Sequence, residues 1–464
     1  MNDVAKESSS MAESLSLRTM RERWGEMLTR VQEAWRGREL RRTLDELRAV
    51  IDPRLSDVEG GRLAARLADW YAQASPESRR DTWLLMSEQF APDVSALEQA
   101  RVDYEAALRT PDEARAEVAL RRAIVTPRTR LLQRFAAYPD GMRFLVNLRA
   151  DILPELKNDA RLAALDAELE QLFSTWLDVG FLELRRISWD SPASLVEKLI
   201  QYEAVHDITS WADVKNRLDD DRRCYGFFHP RMPSEPLIFV EVALLREMAA
   251  AIGPLLDEQG AQVDLPKAHT AIFYSISNTQ QGLKGVSFGD SLIKRVVEEL
   301  KRELPQLKTF ATLSPIPGFR TWLKSHAATL LDALAEKPLR ALDRELGEPA
   351  TAELLLSRLD DTTALQALPE KSALRAWLMR AGAHYLSHAD RRGRPLDAVA
   401  RFHLGNGARV ERINWLGDSS PKGLKQSYGL MVNYLYDLGK LDKHRAQLAQ
   451  GEIPVSSAVQ SLQD

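Results

Sequence analysis

The stretch TLSPIPGF, residues 312–319, sets one hydroxyl, Ser314, between an apolar run and two prolines. An esterase-type serine nucleophile takes an oxyanion-hole donor from the backbone N–H that follows it, and Pro315 has no N–H to give. Ser314 is therefore not the nucleophile of such an elbow; it is a positioned hydrogen-bonding group or the cap of the helix expected after Gly318. A second stretch, AIFYSISNTQQGLKGVSFGDSLIKRVVEEL at 271–300, leads an apolar strand into a loop with Gly282, Gly285 and Gly289 and then into a helix. A helix N-terminus leaving a glycine-punctuated turn favours an anionic group such as a pyrophosphate, because unpaired N–H groups face it and missing side chains let it approach. Lys284 would add a positive charge, and the alternative is an ordinary strand-to-helix connection. The loop carries neither the GK[ST] of a Walker loop nor GxGxxG. Cys224 is the single cysteine, which excludes an internal disulfide and a CxxC zinc site and fits a small buried side chain in a reducing compartment. No HExxH or other dense ligand cluster is present, so no metal is expected.

The elements that must position these groups fall into two regions. A chain of 464 residues, 44% hydrophobic, exceeds what one core usually supports. The formal net charge of −4 argues against a general nucleic-acid binder and leaves a small molecule or another protein as partner. The N-terminal residues lack a continuous apolar h-region, and the best apolar run, PLIFVEVALL, is too short for a bilayer and contains Glu241, so a cytoplasmic protein without a membrane partner is expected. Residues 1–180 are rich in helix formers; Leu40, Leu44, Leu47 and Ile51 recur at helical spacing, and DPRLSDVEGG, SPES, TPDEA and YPDG cut the region into several helices. This domain shows no reactive constellation, and its apolar remainder is expected to form a homo-oligomer interface. From 181 to 464 strands alternate with helices: FLELRRISW, CYGFFHP, PLIFVEVALL and HTAIFYSIS read as strands, and SPASLVEKLIQYEAVH as a helix. A mainly helical insertion occupies about 319–390. The Asn406-Gly407 pair after it predicts a hairpin turn between two strands.

The glycine loop resembles the pyrophosphate loop of the GNAT acyltransferase superfamily, with Lys284 in place of its Arg or Gln and Ser287 in place of its middle glycine. A longer set of segments, FYSISNTQQGLKGV, LSPIPGF, FHLGNGA and MVNYLY, taken in order, resembles the malonyl-CoA decarboxylase family. That resemblance implies an α+β chain: an N-terminal all-helical domain followed by a GNAT-like α/β catalytic domain. It implies release of CO2 from malonyl-CoA to give acetyl-CoA, within fatty acid metabolism, by catalytic residues Ser314, His403 and Tyr436. The CoA pyrophosphate would lie on Lys284, Gly285, Val286, Ser287, Phe288 and Gly289. Some members carry an acidic residue where this chain has Ser287.

A malonyl thioester contains its own electron sink, since loss of the carboxylate leaves charge that delocalises into the thioester carbonyl, so no cofactor is expected. The protein has to hold CoA, stabilise the enolate oxygen and deliver a proton to the α-carbon. Period-two alternation places Phe402 and Leu404 on one face of an expected strand and His403 on the other, facing a cleft. An ordinary imidazole there, with pKa about 6.5, would exchange protons near neutrality. Two other functions share these features: an acyltransferase that moves an acyl group from CoA to an amine, and a noncatalytic acyl-CoA-binding protein.

Overall fold

The computed structural model describes residues 37–260, 262–286, 292–390 and 392–463. Two compact units emerge: one runs to Thr175 and takes in Gln281–Val286, and the other comprises Trp176–Gln280 and Ser287–Asp464.

The first unit is helical, and its turn signals act as helix starts. Within DPRLSDVEGG, Ser56 caps Asp57–Gln73 through a reciprocal capping box with Glu59. SPES places Ser75 as cap and Pro76 in the first turn of Pro76–Glu88. YPDG opens Gly141–Ile152, which packs with Pro127–Ala137 and Ala163–Trp176 around Leu131, Phe135, Leu145, Leu148, Leu165, Leu169 and Phe173, all buried. The observed division falls after Thr175, and six residues of the glycine loop, Gln281–Val286, group with the helices. The reason is local. A Cβ on Gly282 would stand 1.9 Å from the Val146 carbonyl oxygen, so only glycine lets this turn lie against Gly141–Ile152.

The second unit is built on one eight-stranded mixed sheet in the order β1-β2-β3-β4-β5-β8-β6, with β7 also paired to β8. The strands are β1 (Glu183–Ile187), β2 (Arg222–His229), β3 (Met232–Leu245), β4 (Thr270–Asn278), β5 (Thr309–Thr312), β6 (Ser314–Pro315), β7 (Arg409–Asn414) and β8 (Met431–Leu435). The first four form an antiparallel run, and β4 pairs in parallel with β5 after a crossover through helix Leu292–Glu303. That helix buries Leu292, Ile293, Val296, Val297 and Leu300, the five positions of the sequence stripe. Glu241 is tolerated in the middle of β3 because Arg217 donates to its carboxylate at 2.8 Å. The parallel ladder ends at Phe273↔Thr312, whereas β4 continues to Asn278 against β3 alone. Antiparallel β7 and β8 then complete the mixed sheet. Five helices from Phe319 to Ser387 intervene between β6 and β7. No helix among the described residues is long and apolar enough to cross a membrane.

The segment carrying His403 differs from expectation. It is a helix, Ala398–Gly405, capped by Asp397, whose carboxylate accepts from the Val399 and Ala400 amides at 2.9 Å. Ala400, His403 and Leu404 are buried while Phe402 is exposed, which is helical spacing and not alternation. Asn406-Gly407 makes no hairpin. Gly407 has φ 87°, its amide donates to Leu404, and the Ala408 amide donates to His403, which together form a Schellman stop before β7. Positive φ is what this motif shares with a type I′ turn, so the same dipeptide serves either. Asp397→Ala is expected to lower stability by about 1 kcal/mol through loss of the cap. Gly407→Val should cost more than about 1 kcal/mol, since φ is unfavourable and a Cβ would stand 2.8 Å from the Leu441 carbonyl. Urea unfolding of the two variants measures both.

Candidate active site

Three consecutive strand ends and one helix bring the chemistry together. β5 ends at Thr312, β6 begins at Ser314, and Tyr436 follows β8, where its amide is fixed on the Phe310 carbonyl at 2.9 Å. Asn433 on β8 donates to the Thr312 carbonyl at 2.7 Å, which holds the Thr312–Ser314 corner against the sheet. The helix Ala398–Gly405 then presents His403 to both. Ser314 Oγ lies 3.2 Å from His403 Nε2, and His403 Nδ1 lies 2.7 Å from the Tyr436 hydroxyl. The Tyr434 ring stacks on the imidazole at 4.6 Å and fixes its plane. All three reactive side chains are buried.

The proton positions follow from counting donors. Ser314 Oγ donates its single proton to Thr312 Oγ1 at 2.9 Å, so its contact with His403 requires N–H on Nε2. Nδ1 of a neutral imidazole then accepts, and Tyr436 donates to it. Electrostatics agree with this tautomer. Burial alone holds the His403 imidazole at a pKa of about 3, and burial raises the Tyr436 phenol well above its ordinary value. His403 is thus a neutral donor at physiological pH, which corrects the expectation of an imidazole titrating near neutrality.

Asp397 links the two halves of the site and was not singled out from the sequence. Besides capping the His403 helix, its carboxylate accepts from the Gly318 amide of the SPIPGF turn, and the Tyr385 hydroxyl lies 3.5 Å away. Gly318, with no side-chain cap, precedes helix Phe319–Asp332, so Ser314 is not a helix cap. The cap signal Asp-Ala-Val-Ala was present at 397–400, and reading it would have replaced the expected strand with a helix.

Of the pyrophosphate-loop residues, Lys284 and Gly285 are exposed, Val286 is buried and Gly285 has φ 85°. All three group with the helical unit. Ser287, Phe288 and Gly289 lie outside the described residues. Within the helical unit, Arg149 donates to the Gly282 and Lys284 carbonyls, each at 2.9 Å, a contact that no sequence motif announced. No group of three or more His, Cys, Asp or Glu side chains among the described residues is arranged to hold a metal ion.

A buried hydroxyl, imidazole and phenol thus stand in one hydrogen-bonded row where β5, β6 and β8 meet. Comparison with known proteins supplies the family. The family model described as the malonyl-CoA decarboxylase C-terminal domain matches residues 180–464, and that of the N-terminal domain matches 90–177. The mitochondrial malonyl-CoA decarboxylase of Anser anser anser is 41% identical over 329 residues, 68% of this chain and 65% of that protein. The Mus musculus protein of the same description is 39% identical over 368 residues, 75% of this chain and 73% of that one. Crystal structures of malonyl-CoA decarboxylase from Rhodopseudomonas palustris and Cupriavidus metallidurans superpose with TM-scores of 0.78 and 0.74, at 42% and 46% identity. They cover 91% and 92% of this chain and 99% and 100% of theirs. The chain belongs to the malonyl-CoA decarboxylase family and is a carboxy-lyase.

The burial of His403 sets a pH dependence of stability. Its folded pKa of about 3 lies below the ordinary 6.5, so between those values the unfolded chain binds a proton that the folded chain does not. Stability from this group is full above pH 6.5 and falls as pH drops toward 3, by up to about 1.4 kcal/mol per pH unit. Urea unfolding at pH 7 and pH 5 should show a smaller loss for His403→Asn than for the parent.

Proposed function

We propose that this chain converts malonyl-CoA to acetyl-CoA and CO2 at Ser314, His403 and Tyr436, without a metal or organic cofactor. The observation that supports this best is the buried row of neutral donors, which suits a reaction that creates negative charge and then consumes one proton. The C–C bond to the malonyl carboxylate breaks, CO2 departs, and the electron pair moves into the thioester carbonyl as an enolate. Ser314 turns its hydroxyl from Thr312 to the substrate and gives its proton to the α-carbon. Its oxygen takes the Nε2 proton of His403, whose Nδ1 takes the proton of Tyr436, and water restores the phenol when product leaves. Low polarity around the row makes the Tyr436 phenolate a high-energy species, which favours its reprotonation by water and closes the cycle.

The CoA pyrophosphate is held, in this reading, by the Lys284–Gly289 loop, and the pantetheine takes an edge of β4. Beyond Phe273 that strand has lost β5, and the edge facing the vacated position offers backbone groups to the amides of an extended pantetheine. Malonyl-CoA supplied alone should yield acetyl-CoA and CO2, and turnover only with acetyl-CoA plus an amine would replace this reading by acyl transfer. Ser314→Ala, His403→Asn and Tyr436→Phe should lower kcat, by about 10²- to 10⁴-fold for the histidine variant, with KM little changed. The Ser314→Ala, His403→Asn double variant should be little worse than the poorer single one.

The same proposal includes self-association through the helical unit and a cytoplasmic setting. Helices Val94–Ala107 and Glu113–Ile124 form a hairpin that buries only Ala100 and Ala116, while Val94, Val102, Val118 and Ile124 stay exposed. A second copy of the chain would cover that apolar surface. Cys224, buried and the only cysteine, suits a reducing compartment. Val94→Glu combined with Ile124→Glu should reduce the mass measured by light scattering without lowering Tm; an unchanged oligomer would move the interface elsewhere.

A further inference from the structure

We infer that Arg149, on helix Gly141–Ile152 of the helical unit, is a positioning residue for the phosphate end of CoA. The inference rests on the proposal that the loop after β4 holds the pyrophosphate. Arg149 is almost fully buried, at 1% exposure, and its guanidinium is spent on two tasks. Nε lies 2.8 Å from Asp166 and Nη2 3.2 Å from Glu170, which neutralise it and fix its plane. Nη1 is left to donate to the carbonyls of Gly282 and Lys284, both at 2.9 Å.

This contact decides where the loop amides point. In a planar trans peptide the C=O and the following N–H project in opposite directions. With the Lys284 carbonyl drawn inward to Arg149, the N–H of Gly285 faces outward, on the side where the Lys284 and Gly285 residues are exposed. The Gly282 carbonyl anchors the start of the same turn to Arg149, where Leu283 is fully buried. Gly285, at φ 85°, then turns the chain, and Gly282 seats the turn on the Val146 carbonyl. Arg149 therefore does not offer its own charge to the ligand, because two carboxylates already neutralise it. It orients the neutral Gly285 amide dipole toward an anion, beside the Lys284 ammonium. Planarity matters, since one guanidinium reaches two acids and two carbonyls at once whereas a lysine ammonium cannot span them.

Arg149→Met and Arg149→Lys test this in the full-length chain, with Gly285→Val as a separate probe of the loop. Lysine keeps a cation between Asp166 and Glu170, so that variant decides the matter if the methionine variant fails to fold. Free CoA affinity and the KM for malonyl-CoA should worsen about tenfold in Arg149→Met and less in Arg149→Lys, with kcat retained, as for loss of one charge-assisted hydrogen bond. Malonyl-pantetheine, which lacks the pyrophosphate, should be decarboxylated by the folded variants with parental kcat/KM. Equal losses with both substrates would show a general structural role and overturn the inference. If Gly285→Val weakens CoA while both Arg149 variants bind it normally, the inference fails and the loop proposal stands. If Gly285→Val also binds CoA normally, the loop is not the pyrophosphate site and both fall.

Discussion

The hydrogen bond between Ser314 and His403 joins positions 89 residues apart and fixes what its surroundings must provide. A serine at a strand start can meet an imidazole at this distance only if the intervening chain returns to the same sheet face. Asp397 makes that return specific: one carboxylate caps the His403 helix and accepts from Gly318 next to the SPIPGF prolines. The remaining constraint is dryness. Burial keeps His403 neutral with Tyr434 stacked on its imidazole, and neutrality leaves Nε2–H and Nδ1 with the opposed roles needed to connect Ser314 to Tyr436.

The sheet resolves a competition that strand pairing alone would lose. Full pairing of β4 with β5 would satisfy more backbone groups, but the register stops at Phe273↔Thr312. Past that point Leu313 still donates to the Phe273 carbonyl at 3.0 Å, and Ser314 then pairs with Val432 on β8. Pro315 enforces the change, because a residue with no N–H cannot continue a two-sided ladder. The proline that excludes an esterase-type nucleophile is also part of what turns the chain from β5 toward β8.

Much of this was legible in the sequence because it depends on periodicity and composition. The stripe Leu292, Ile293, Val296, Val297, Leu300 gave its helix, and four strands of the sheet coincide with segments read as strands, three of them apolar runs. Ser314, His403 and Tyr436 were reached through the order of four segments, and the folded chain places them within hydrogen-bonding distance in series. The His403 helix was missed because Phe402, His403 and Leu404 in its last turn alternate as well as they spiral, and the Asn-Gly pair outweighed the Asp397 cap. The burial of His403 was illegible for a different reason. Desolvation is set by residues such as Tyr434, distant in sequence and apolar for their own packing. Arg149 was hidden likewise, since it binds backbone carbonyls and backbone acceptors leave no mark on side-chain patterns.

The five helices between Phe319 and Ser387 interrupt the chain between the serine and the histidine. Closing so long a segment costs entropy before the contact it permits can form, and non-local contacts of this kind are slow to assemble. Helices and the β1–β4 run can form from local pairings, whereas the Ser314–His403 contact must wait for β8 to dock between β5 and β7. Secondary structure and catalytic competence are thus separable in time during refolding. Recovery of turnover reports on the last non-local closure of the sheet, well after far-UV ellipticity has returned.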